Sequence, residues 1–135
     1  MSHFPRPPEF FVDRSLGRYR VPAALRAAGW RIRTHHEVFG TRDQEVPDVE
    51  WLELCSREGW IVLTADRRLR YRPDEVDVIR THGVRAFVLV GGSLRADEQV
   101  ARLEHNRERI AAASADPGPF VYSVHATTIT RVFRP

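Results

Sequence analysis

Lysine is absent from this sequence, so all 21 of its lysine-or-arginine positions are arginine. The absence excludes chemistry that needs a lysine amine, such as phosphate binding by a P-loop. Arginine offers phosphate a planar, bidentate donor, which favours a nucleic-acid partner. Coding bias in a GC-rich genome explains the composition equally well, and a formal net charge of only +3 does not separate the two explanations.

Cysteine and long apolar runs are also scarce. Cys55 is the only cysteine, so no intramolecular disulfide can form, which is consistent with a reducing compartment. No apolar run approaches the roughly 18 residues that cross a bilayer. The segment 1–9 carries three prolines and lacks the apolar stretch of a secretory signal. We therefore expect a cytoplasmic protein that does not contact a membrane.

The 135 residues suit a proline-rich lead-in over 1–9 followed by one domain over 10–135. Within that domain, short apolar runs typical of buried strands alternate with segments of helical periodicity. We predict strands over 10–12, 30–39, 60–64, 84–90 and 120–133 (the last a strand or a hairpin), and helices over 22–28, 48–58, 74–81 and 94–113. This alternation predicts an α/β, three-layer sandwich around a mostly parallel sheet of about five strands.

Three aspartates occupy related positions in the predicted fold. Asp13 follows the first strand, Asp66 follows the third, and Asp48 begins a helix. Because helices of right-handed β-α-β units start where the strands end, we expect the three carboxylates at one edge of the sheet. Clustered carboxylate oxygens suit Mg²⁺ or Mn²⁺, which can activate water against a phosphodiester. Each aspartate alone is explained equally well by a turn or a helix cap, so the prediction depends on the joint pattern.

Two segments resemble PIN-domain ribonucleases. They are Asp48-x-x-x-Leu52-x-x-Cys55-x-x-x-Gly59-x-x-Val62-Leu63-Thr64-x-Asp66 and the opening strand Phe11-Val12-Asp13. The resemblance covers mainly residues 10–66. It implies a PIN-like fold with strand order 2-1-3-4 and a final strand at the edge. It also implies an endoribonuclease that uses Mg²⁺ or Mn²⁺, with Asp13, Asp48 and Asp66 as metal ligands and catalytic residues.

Many bacterial members of the family are VapC-type toxins of toxin–antitoxin pairs. The resemblance therefore implies an RNA substrate (tRNA, rRNA or mRNA) and a cognate antitoxin protein, and homodimers are common among such relatives. The family's second acid, a glutamate on a helix after the second strand, has no clear match here. Glu37, at the end of the predicted second strand, and Glu45 are the candidates. The short segment between the second and third strands resembles a trimmed subgroup of PIN-like proteins.

Two groups of arginines follow the acids along the chain: Arg14 and Arg18 in the first, and Arg67, Arg68, Arg70 and Arg72 in the second. Both should rim the edge that holds the carboxylates. We predict that Arg14, Arg18, Arg67 and Arg68 bind the RNA backbone. A solvated basic loop, or contacts to an acidic antitoxin segment, are the alternative interpretations.

Two other functions are compatible with parts of the pattern. A PIN-like module that has lost catalysis and binds only RNA or protein would explain the missing second acid, and it should show no thermal shift with Mn²⁺. A signalling receiver domain would also place an aspartate, here Asp66, after the third strand. The site of that family has paired acids after the first strand and a lysine, whereas this chain has Asp13-Arg14 and no lysine. Phosphorylation of Asp66 by a small phosphodonor would support it.

Overall fold

The computed structural model describes residues 7–133, which form a six-stranded sheet with helices on both faces. The strands are β1 (Glu9–Val12), β2 (Arg31–Thr34), β3 (Ile61–Thr64), β4 (Arg85–Leu89), β5 (Phe120–Val124) and β6 (Ile129–Phe133). The helices are α1 (Arg20–Ala27), α2 (His35–Phe39), α3 (Asp48–Glu58), α4 (Pro73–His82), α5 (Ala96–His105) and α6 (Arg107–Ser114). Most of the predicted lead-in over 1–9 lies outside the described residues, and β1 already begins at Glu9.

The strand order is β2-β1-β3-β4-β5-β6, with every neighbouring pair parallel except β5 and β6. The predicted order 2-1-3-4 is confirmed, and so is a final strand at the edge. The sheet has six strands rather than five because 120–133 forms a hairpin, whose turn is closed by a hydrogen bond from His125 N to Thr128 O. β2 lies on one side of β1 and β3 on the other, so the connection after β2 runs back across the sheet in the opposite direction. Such a reversal in strand order leaves a crevice at the carboxyl ends of the strands where it occurs.

Two predicted elements were wrong in part. The strand predicted over 30–39 stops at Thr34, because Thr34 begins α2 with a reciprocal capping box: its hydroxyl accepts from Glu37 N, and the Glu37 carboxylate accepts from Thr34 N. The helix predicted over 94–113 is interrupted at Asn106, which separates α5 from α6. The buried Asn106 side chain donates to the backbone oxygens of Arg102 and His125, tying this break to the β5–β6 turn.

The core consists of two apolar layers, one on each face of the sheet. Phe10 and Val12 point toward α1, α5 and α6, whereas Phe11 and Val62 point toward α3 and α4. This division follows from the alternation of side chains along a strand. The central strands are apolar on both faces, as expected of a parallel sheet covered on both sides. No helix within residues 7–133 is long and apolar enough to cross a membrane.

Candidate active site

The carboxyl edge of the sheet, where the parallel strands end, carries the three predicted acids. Asp13 follows β1 directly, and its backbone N–H extends the pairing with β3 by donating to Leu63 O at 3.0 Å. Asp66 lies two residues beyond the end of β3, and Asp48 is the first residue of α3. Asp48 is oriented by Trp51, whose indole Nε1 donates to its Oδ1 at 2.9 Å.

Asp48 and Asp66 meet a third acid that sequence analysis missed, Glu75 in the first turn of α4. One carboxylate oxygen from each of the three lies within 4.8 Å of the others. Glu75 is only 5% exposed, a degree of burial that glutamates seldom reach unless they are paired. An acid in the first turn of a helix is common, because it complements the helix dipole, so no sequence signal distinguishes Glu75 from other such acids. We refer to Asp48, Asp66 and Glu75 as the acidic cluster.

Arg72 pairs with every member of the acidic cluster. Its Nη2 lies 2.8 Å from an Asp66 oxygen, and its Nη1 lies 3.1 Å from Asp48 and 2.8 Å from Glu75. The side chain is 32% exposed, so this pairing is partly shielded from water. One positive charge therefore faces three carboxylates, which leaves the cluster with an excess of negative charge when all three are ionised.

The environment of Glu75 reflects this crowding of acids. The pKa of Glu75 is raised to about 7, chiefly by burial and also by the nearby Asp48 carboxylate, against the lowering effect of Arg72. Every donor that the cluster offers is a carboxylate oxygen, the ligand type preferred by Mg²⁺ and Mn²⁺. The residues present therefore fit a hard divalent cation. Such an ion would displace protons from the carboxylates or replace part of their pairing with Arg72.

Asp13 is not part of the acidic cluster but is joined to it through Thr64. The Thr64 hydroxyl donates to Asp13 Oδ2 at 2.7 Å and accepts from the backbone N of Asp66 at 3.0 Å. Ser15 Oγ donates to the same Asp13 oxygen at 2.9 Å. Asp13 is 6% exposed, and these two hydroxyls compensate the burial of its charge. Thr64, the last residue of β3, thus holds Asp13 in a fixed position relative to Asp66.

Glu37 does not join the acidic cluster in the part of the chain that the structure describes. Its carboxylate lies 2.5 Å from Arg26 and caps α2 through Thr34 N at 2.9 Å. These contacts explain the position of the Glu37 carboxylate without a bound ion. Glu37 was predicted as a metal ligand because the resembling family has a glutamate on a helix after the second strand. Glu37 does lie on such a helix, α2, but its carboxylate is directed to the helix cap and to Arg26.

The four arginines predicted to bind RNA differ in their surroundings. Arg67 and Arg68 are exposed on the loop after Asp66, and the backbone N of Arg68 donates to an Asp66 oxygen at 3.1 Å. Arg14 is half-buried, and neither Arg14 nor Arg67 has a carboxylate partner among residues 7–133. Arg18 is exposed and contacts the ring of His36, which in turn lies 3.1 Å from Asp43. Arg14 and Arg67 are therefore available to bind an external anion.

A buried histidine lies near this edge of the sheet. His35 is 2% exposed and packs against Phe11, Phe39 and Trp51, and neither ring nitrogen has a hydrogen-bond partner among the described residues. Burial lowers the pKa of His35, and the charge of Arg14 lowers it further, whereas nearby carboxylates oppose the shift. His35 is therefore neutral in the folded protein near pH 7.

This burial predicts that His35 makes the folded protein less stable in mild acid. Below the ordinary histidine pKa of about 6.5, the unfolded chain takes up a proton at His35 that the folded chain resists, so the contribution of His35 to the free energy of unfolding falls as the pH drops through that window. Glu75, whose pKa is raised in the folded protein, contributes in the opposite direction. Urea unfolding from pH 7 to pH 5 in EDTA measures the net slope. The stability of His35→Phe should fall less, or rise more, than that of wild type over this range, whereas His105→Phe, at an exposed site on α5, should keep the slope of wild type. Equal slopes in wild type and His35→Phe would refute this prediction.

Comparison with known proteins adds two similarities. Residues 8–91 match the family described as PIN like domain, a range that includes β1 to β4, Asp13 and the acidic cluster. The chain is also 38% identical over 123 residues to the protein named "Putative ribonuclease VapC45" of Mycobacterium tuberculosis, covering 90% of this chain and 89% of that relative. No solved structure matches the chain.

Proposed function

Because this chain belongs to the PIN-like domain family, we propose that it is a metal-dependent endoribonuclease and the toxin of a VapBC-like toxin–antitoxin pair. The observation that carries this proposal is the convergence of Asp48, Asp66 and Glu75, with Asp13 tied to them through Thr64. The chain matches 89% of the relative named "Putative ribonuclease VapC45", and that name supports RNA as the substrate.

In this proposal Asp48, Asp66 and Glu75 hold Mg²⁺ or Mn²⁺, and Glu75 takes the place for which Glu37 was considered. Asp13 completes the catalytic set with Asp48 and Asp66, as a hydrogen-bond acceptor that Ser15 and Thr64 hold in one orientation. When bound, the ion supplies Lewis-acid activation of a water and of the scissile phosphodiester.

The arginines around the carboxyl edge provide the counterpart for the RNA backbone. Arg14 and Arg67 carry charges that no carboxylate of the described residues neutralises, and they would bind phosphates directly. Arg18 and Arg68 add positive charge at the same edge. Their charges offset the negative acidic cluster, which would otherwise repel a polyanion.

The partners follow from the family. We infer a cytoplasmic protein whose substrate is tRNA, rRNA or mRNA and which a cognate antitoxin protein inhibits; a homodimer would also accord with the relatives. An antitoxin would have to cover the carboxyl edge or its arginines in order to inhibit. Co-purification with the product of a neighbouring small gene would test this pairing.

One observation favours a second candidate, a PIN-like module that binds RNA or protein without cutting. Arg72 already pairs with all three carboxylates of the acidic cluster. Such an internal cation would be sufficient for a site that never takes up a metal. The two candidates differ in metal binding as well as in activity.

RNA cleavage tests the nuclease directly. The purified full chain, free of any antitoxin, is incubated with total bacterial RNA including tRNA, in Mg²⁺, in Mn²⁺ and in EDTA. We expect cutting with either metal and none in EDTA, because the ion activates the attacking water. A folded protein that cuts nothing and whose Tm does not rise with Mn²⁺ would overturn the catalytic proposal in favour of the binding module.

A further inference from the structure

A groove lies next to the candidate active site, on the face of the sheet that carries α3 and α4. The loop 65–72 forms one wall, and strands β4, β5 and β6 form the floor. Its volume of about 520 Å³ is within the range of ligand-binding clefts. The groove and the acidic cluster share this loop: Asp66 and Arg72 belong to the active site, and four residues between them line the groove, namely Arg67, Arg68, Arg70 and Tyr71.

The floor of the groove is apolar. Val90 and Val132 are half-buried there, and the deeper Val88 and Val121 lie beneath them. A flat apolar ring fits such a floor better than a charged or strongly hydrated group.

The rim of the groove is basic and aromatic. Tyr71 is 64% exposed, and the guanidinium carbon of Arg70 lies 4.5 Å from the centre of its ring. Within residues 7–133, Arg67 and Arg70 have no carboxylate partner, and Arg68 comes no closer than 3.9 Å to Asp66. Paired aromatic and guanidinium planes beside uncompensated positive charge are the features that bind stacked bases and phosphates.

The far end of the groove offers polar groups. Ser123 lines it with a hydroxyl that is hydrogen-bonded to no described residue, and the exposed His125 follows at the end of β5. Both can donate or accept a hydrogen bond. An apolar floor, a cationic rim and two polar groups at one end together match a nucleotide, which has a flat ring with polar edges and an anionic phosphate.

We propose that this groove binds one nucleotide of a single-stranded RNA chain, with its base between Tyr71 and the valine floor and its phosphate on Arg67 and Arg70. The inference extends the proposed function, because it assigns a binding subsite to the RNA that the active site cuts. Since the loop 65–72 borders both sites, the bound nucleotide lies close along the strand to the phosphodiester at the acidic cluster. The groove thereby contributes to the choice of cleavage site.

Binding of intact and abasic RNA separates base recognition from charge attraction. A labelled single-stranded RNA oligonucleotide and the same strand with abasic positions are titrated with the full-length protein in EDTA, followed by fluorescence anisotropy. We expect wild type to bind the intact strand about tenfold more tightly, from base stacking in the groove. Tyr71→Ala should remove most of this preference, and Arg70→Ala should weaken both strands by a similar factor.

Two controls match these variants. Tyr19→Ala removes a tyrosine that is 71% exposed outside the groove, and it should keep the preference for intact RNA. Arg109→Ala removes an exposed arginine from α6 on the opposite face, and it should affect binding less than Arg70→Ala does. Both altered rim residues lie on the loop surface rather than in the core, so the test does not depend on repacking.

The outcomes distinguish this proposal from the nuclease. Equal affinity of wild type for intact and abasic RNA, or a preference that Tyr71→Ala leaves unchanged, would overturn the nucleotide groove whether or not the protein cuts RNA. A base preference that Tyr71→Ala leaves unchanged is the result expected if RNA bases stack elsewhere and the groove binds an acidic protein segment. A retained base preference in a protein that cuts nothing would support the groove and count against the catalytic proposal alone.

Discussion

Replacing Asp66 by asparagine is expected to slow RNA cleavage about a thousandfold. The substitution keeps the size of the side chain and an oxygen for the Arg68 backbone N–H, but it removes one of the three carboxylates of the acidic cluster. Loss of a charged metal ligand forfeits several kcal/mol of transition-state stabilisation, and each 1.4 kcal/mol corresponds to roughly tenfold in rate. Single-turnover cleavage at saturating Mn²⁺ measures the effect, and Asp13→Ala should behave in the same way.

The matched control for this experiment is Asp74→Asn. Asp74 is an exposed acid that precedes Glu75 in the first turn of α4, yet it is outside the acidic cluster. Its variant should cleave within about threefold of wild type. If Asp66→Asn, folded and metal-saturated, also stays within that range, the acidic cluster is not the catalytic centre.

Removing the internal cation should have the second largest effect. In Arg72→Ala the three carboxylates lose their shared positive partner. The free energy of unfolding of the metal-free protein should therefore fall by about 2 kcal/mol. The same loss leaves the cluster more negative, which favours a divalent cation. We therefore expect Mn²⁺ to raise the Tm of Arg72→Ala by more than it raises the Tm of wild type.

Arg70→Ala is the control, because Arg70 is two residues away on the same loop and pairs with no carboxylate among the described residues. Its Mn²⁺-induced shift in Tm should equal that of wild type. A larger shift in wild type than in Arg72→Ala would mean that Arg72 helps to hold the ion rather than competing with it. No shift in either protein would favour the non-catalytic binding module.

Part of the candidate site could be predicted because it depends on local order along the chain. Asp13 and Asp66 follow apolar runs that are recognisable as buried strands, and Asp48 begins a helix that ends at Gly59. In a parallel sheet these positions must lie at one edge, whatever the details of packing. The sequence also contained the capping box of α2, but the apparent alternation of 30–39 concealed it. Glu37 entered the predicted metal site as a candidate for the family's glutamate after the second strand, and its carboxylate caps α2 instead of joining the acidic cluster.

Glu75, Arg72 and the groove were decided by the tertiary structure alone. Glu75 meets Asp48 only because α3 and α4 pack side by side on one face of the sheet, a contact between segments 27 residues apart. The groove similarly combines the loop after β3 with the β5–β6 hairpin, about 50 residues further along the chain. No periodicity or spacing encodes such meetings. The sequence by itself determined which residues lie at the ends of strands and helices, whereas the packing of helices on the sheet determined which of those residues face one another.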